Sequence, residues 1–185
     1  MIEITAKNIK EVEERLGSFR NKAPLAISWA LNRAADNVKT NAAKKAREEY
    51  EIKAKDIKDT LRIIKANKNS LSAEVRSKGA RIPLIKFKVR PNEPRPSNPP
   101  KILRVAVKKT GLKGLVGAFV ADINGNKVFK RKTRSRLPIE QLFGPAVPQM
   151  LGNPEVKKYI ENEAMKVYYK RLDHEIDHIL GVDKK

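Results

Sequence analysis

The chain has 185 residues, enough for one domain with appendages, and a compact unit of this size buries roughly 70% of the surface its unfolded chain exposes. Forty-one lysines and arginines against 21 aspartates and glutamates leave a formal charge of +20, spread along the whole sequence, which favours polyanionic or acidic partners. The lack of cysteine excludes disulfides, thiol nucleophiles and cysteine-based metal sites, and no run approaches 18 apolar residues, so no membrane partner is expected.

The amino terminus, Met1-Ile2-Glu3-Ile4-Thr5, lacks the layout of a secretory signal, and a soluble protein made in a cytoplasm is expected. Ile2 and Ile4 alternate with polar residues as in a short strand. Ile9, Val12, Leu16 and Phe19 then recur at helical intervals, ending near Gly17-Ser18. Pro24 suits an early helical position, and Ile27, Leu31, Ala34, Val38, Ala42 and Ala46 mark one face of an alanine-rich helix reaching about Tyr50. Leu25 and Trp29 lie off that stripe, as a second apolar edge open to a neighbouring subunit or as ordinary two-sided burial.

Residues 55–61 read as a short helix, 62–66 as a strand start and Asn67-Lys68-Asn69-Ser70 as a turn. Leu71, Ala73 and Val75 alternate with polar residues, as do Ile85, Phe87 and Val89, giving two strands with one wet face each. Five of the eleven residues from Arg90 to Pro100 are proline, which predicts a projecting, polyproline-like loop that would reach roughly 30 Å if fully stretched. Residues 102–107 resume a strand, Gly111 to Gly117 read as a flexible connection, and 118–123 pair with 127–132 across Asn124-Gly125-Asn126.

Near the end, Asn153 caps a helix starting at Pro154, with Glu155 close to its positive end. Val156, Ile160, Ala164, Tyr168, Leu172, Ile176 and Leu180 keep a four-residue spacing, so a helix over 154–180, about 40 Å long, should cross the sheet or extend into a partner. Helices, antiparallel strands and a closing helix make an α+β fold, and 1–185 reads as a single domain.

The richest cationic stretch is the second hairpin strand and its sequel, where Lys127, Lys130, Arg131, Lys132, Arg134 and Arg136 fall within ten residues. Such a strip attracts nucleic acid or an acidic partner without reading base sequence; charge that protects an edge strand from aggregation explains it as well. Lys44, Lys45, Arg47, Lys53, Lys55 and Lys58 form a second basic region, interrupted by acids and read as a solvated helix surface.

His174-Glu175-Ile176-Asp177-His178 satisfies the H-E-x-x-H rule of zinc peptidases, with His174 and His178 on one helical face. Lys184 stands where the extended motif places a third histidine, and no downstream helix or methionine turn follows. The pair is therefore a weak metal candidate on an exposed helix side. Gly111, Gly114 and Gly117 match neither a P-loop nor a dinucleotide fingerprint, no G-x-S-x-G occurs, and the sequence calls for no cofactor and no catalytic role.

From Ser135 to Leu151 three prolines and a glycine pre-shape the backbone, while Leu137, Ile139, Leu142, Phe143, Val147 and Met150 supply apolar anchors for subunit docking. This block, S-R-L-P-I-x-x-L-x-G-P-x-V-P-Q-M, resembles a signature of the phage minor tail protein Z family. Ala23-Pro24 through Ala35, Tyr50 through Asp56 and Ile82 through Phe87 extend the resemblance over most of the chain; the proline-rich stretch does not map onto it. The resemblance implies a non-enzymatic tail-completion component in the virion tail of a long-tailed phage or prophage, assembled in the host cytoplasm. It further implies a homo-oligomeric ring near the head-proximal end, with other tail and neck proteins as partners and phage DNA close by. A free nucleic-acid-binding protein is the first alternative and a zinc metallopeptidase the second.

Overall fold

The computed structural model describes every residue except 7, 99 and 183–185. The first half runs β1 (Ile2–Thr5), α1 (Ile9–Leu16), a 3-10 segment (Gly17–Lys22), α2 (Ala23–Glu49), α3 (Ala54–Lys58), β2 (Leu61–Ile64), β3 (Ser72–Ser77), β4 (Arg81–Pro83), a 3-10 turn (Leu84–Lys86) and β5 (Lys88–Arg90). The second half runs β6 (Ile102–Ala106), β7 (Lys113–Val116), β8 (Ala118–Asp122), β9 (Asn126–Arg131), β10 (Ile139–Gln141), β11 (Phe143–Ala146), α4 (Val147–Leu151) and α5 (Pro154–Leu180). The α+β expectation is correct.

The core is built on α2 and α5, each 27 residues long and packed side by side. They run antiparallel: the Asn153 amide, at the start of α5, donates to Glu49 Oε2, at the end of α2, over 3.4 Å. Alanines at 23, 26, 30, 34, 35, 42, 43 and 46 of α2 are buried, and these small side chains leave room for Val156, Ile160, Tyr168, Leu172 and Ile176 of α5. A four-residue spacing drifts about 40° per step around a 3.6-residue helix, so the apolar stripe of α5 winds. It packs on α2, α4, α1 and β1, with Met1 and Ile2 beside Lys157 near its start and Arg15 of α1 on Asp173 near its end. Leu180, the last of the series, has turned beyond this cover and is 39% exposed. α5 therefore takes α2 as its main partner and also touches β1 of the sheet.

Against this pair lies an antiparallel sheet of order β1-β3-β2, whose inward Ile2, Ile4, Leu61, Ala73 and Val75 are buried. Asn32 of α2 clamps the chain just beyond β2: its Nδ2 donates to the Ala66 carbonyl at 3.1 Å and its Oδ1 accepts the Ala66 N–H at 2.8 Å. Three smaller ladders complete the molecule, β5-β6-β7, β8-β9-β10 and β4-β11, all antiparallel. The predicted caps hold: Asn153 Oδ1 accepts the Glu155 N–H at 3.1 Å, and Gly181 closes α5.

Three expectations need correction. Phe19 does not continue the α1 stripe; the chain turns into the 3-10 segment at Gly17, leaving Phe19 40% exposed. Ile85 lies in a 3-10 turn, so the strand expected over 85–89 shrinks to Lys88–Arg90. Residues 113–116 form β7, where the connection was expected, because Gly114 admits the Ile102 side chain: a Cβ there would lie 2.8 Å from Ile102 Cγ2. The proline-rich stretch lies beside β8, where Pro91, Pro94, Pro96 and Pro100 face Phe119 and Ala121 across a cavity of about 580 Å³.

Candidate docking and nucleic-acid surfaces

The alternation of β9 splits the cationic strip between two faces. Val128 points into the core; Lys130 and Lys132 share its side of the ladder, and Lys130 stands opposite Glu140 of β10. Lys132 reaches Glu140 at 3.6 Å. Lys127, Phe129 and Arg131 occupy the other face, with the Phe129 ring 6.2 Å from that of Phe119.

Arg131 is not a free contact. Its Nη1 donates to the Arg136 carbonyl at 2.6 Å and the Ser135 carbonyl at 3.4 Å, while its guanidinium lies 5.3 Å from the Phe119 ring centre. It thereby shapes the turn from 132 to 138, which the Lys132 N–H closes on the Pro138 carbonyl at 3.1 Å. That turn presents Arg134, Arg136 and Leu137 to solvent. Lys127, Lys130, Arg134 and Arg136 make no ion pair among the described residues.

The block that follows is used mostly inside the chain. Val147 and Met150 are fully buried in the common core, so neither is open to an adjacent subunit, which corrects that part of the docking expectation. Gly144 is required by close approach: a Cβ there would sit 2.5 Å from Phe87 Cε2. Gln149 Oε1 accepts the Ala146 N–H at 3.0 Å and starts α4. Of the six anchors, Leu137 is 66% and Phe143 42% exposed, and Ile139 and Leu142 are half-buried.

Leu142 and Phe143 form one wall of an apolar groove of about 380 Å³, completed by Leu84, Val105, Val107 and Leu115. Lys108, Thr110, Gly111 and Lys113 edge it, and among the described residues no carboxylate lines it. Backbone pairing explains the shape, since Val105 stands opposite Lys113 and Leu103 opposite Leu115.

A second concavity, of about 360 Å³, gathers Lys44, Arg47, Lys58 and Lys109 beside Glu48. Composition signalled the helix cations but not Lys109, which the Lys109 N–H brings in by donating to the Glu49 carbonyl at 2.8 Å. Lys45 caps the acid of this cleft at 2.9 Å, and that hydrogen bond holds the Glu48 carboxyl below, and the Lys45 ammonium above, its ordinary value. The surface left to a ligand is therefore cationic.

His174 and His178 lie exposed on α5, and among the described residues no group of three or more histidine, acidic or cysteine side chains is placed to hold a metal. The Lys184 position of the extended motif lies outside the described residues. Among the described residues no helix is long and apolar enough to cross a membrane. A family model described as prophage minor tail protein Z matches residues 6–184. No curated protein and no solved structure matches the chain.

Proposed function

Since the chain belongs to the prophage minor tail protein Z family, we propose that it acts without catalysis in tail completion and head–tail joining, as copies ringed around the path of the DNA. Its partners are the other tail and neck proteins, its place is the virion tail, and it reaches that place from the host cytoplasm. The observation carrying this reading is the hairpin turn, which holds Arg134 and Arg136 in solvent, without carboxylate partners among the described residues, on a chain of charge +20. Lys127 and Lys130 flank it; Arg131 acts as the scaffold that keeps the turn open. Phosphates meeting such a surface release counterions and bind without sequence preference, which suits DNA that passes by without being read.

Charge reversal at Lys130, Arg134 and Arg136 should cut infectious titre by orders of magnitude while the purified variant keeps its circular dichroism and thermal midpoint. An unchanged titre would remove the hairpin's role. The cleft of Lys44, Arg47, Lys58 and Lys109 favours a second reading, a free nucleic-acid-binding protein. That reading requires tight duplex binding by the isolated chain at physiological salt, with a log–log salt slope of about −3 to −4 for four phosphate contacts.

A further inference from the structure

The groove of Leu84, Val105, Val107, Leu115, Leu142 and Phe143 has an apolar floor, a cationic edge at Lys108 and Lys113, and no acid of its own. A complementary occupant therefore carries aliphatic side chains flanked by carboxylates. Resting on the reading of several copies in one tail, we propose that the occupant is the carboxyl-terminal end of α5 from a second copy of this chain.

That end has the required chemistry. From Asp173 to Lys185 the sequence holds four acids against two lysines, Lys184 and Lys185, so its balance is acidic. Asp173 is engaged by Arg15 at 2.7 Å, whereas Glu175 and Asp177 form no ion pair among the described residues. Leu180 and Val182 are 39% and 59% exposed. The Val182 N–H donates to the Asp177 carbonyl at 2.9 Å, which folds Val182 back onto the last turn of α5, beside Asp177.

The tip cannot fill its own groove. Lys109 and Asn153 both bond Glu49, so the groove sits near the start of α5, and its tip lies about 40 Å away at the other end of the helix. Tip and groove are different surfaces at opposite ends, so their contact is heterologous and passes from copy to copy, closing into a ring where the rotation permits. The rival apolar knob, Leu137, is flanked by Arg134 and Arg136 and would set like charges against Lys108 and Lys113.

The chain has no cysteine, so introduced thiols report the contact without background. Full-length Leu180→Cys mixed with Leu115→Cys under mild oxidation should give a cross-linked pair at least tenfold faster than Leu180→Cys mixed with Ile64→Cys, a control on the exposed side of β2. Lys108→Glu with Lys113→Glu in the groove chain should suppress that pair, and Glu175→Lys with Asp177→Lys in the tip chain should restore it. Equal rates at positions 115 and 64, no 180–115 product from folded chains, or no rescue by the charge swap would each overturn the proposal. So would a synthetic acidic leucine-rich peptide that enters the groove while the tip does not. If the thiols fail to pair but the protein is still found in tails, the tail reading stands and only this contact falls.

Discussion

The helical half of the molecule and the half built from small ladders treat their apolar residues in opposite ways. In α2 and α5 nearly every periodic aliphatic is spent on the partner helix or on the sheet of β1, β2 and β3. In the ladders Ile102, Val116, Leu137 and Phe143 remain between 42% and 70% exposed. The first half is a frame; the second offers surfaces. Charge is shared between them: the hairpin turn and the groove edge lie among the ladders, and the cleft of Lys44, Arg47 and Lys58 lies on α2 and α3.

The contrast is tested most severely within the single block from 135 to 151. Met150, fully buried between the halves, should cost about 2–5 kcal/mol on Met150→Ala, whereas exposed Leu137→Ala should stay within about 0.5 kcal/mol in the same denaturant titration. Equal losses would show that both residues are packed alike. Gly144→Ala should cost about 1–3 kcal/mol through the clash with the Phe87 ring, read as a lowered midpoint at unchanged slope.

The smallest effect has the opposite sign. Tyr168 is buried in the core with its hydroxyl unpartnered among the described residues, so Tyr168→Phe should stabilise by about 1 kcal/mol. Burial also pushes its phenol up from 10.0 to about 12. Above pH 10 the unfolded phenol ionises while the folded one keeps its proton, so the parent loses stability as pH rises from 10 toward 12. The Tyr168→Phe variant should flatten that part of the profile; an unchanged alkaline slope would assign it to other groups.

The frame was legible because its signals are local. Asn153 with Pro154, the alanine-rich face of α2 and the four-residue series of α5 each follow from periodicity and capping within one segment. The ladders were legible only in part. Asn124-Gly125 announced its hairpin, but Gly114 concealed β7, since glycine demanded by a neighbouring Ile102 looks the same in sequence as glycine in a loop. The 135–151 block resembles a docking segment for a similar reason: prolines and apolar anchors serve internal packing as well as external contact, and only burial separates Val147 and Met150 from Leu137 and Phe143. The groove was not legible at all, because residues 84, 105, 115 and 143 belong to separate segments that meet only in the fold.

The most direct test of the central claim is the location of this protein in purified phage or prophage particles, by immunolabelling and by density in averaged images of the tail. Several copies should ring the head-proximal end of the tail, with the hairpin turn toward the lumen. Particles that are complete and infectious without the protein, or copies found only free in the lysate with nucleic acid, would contradict it.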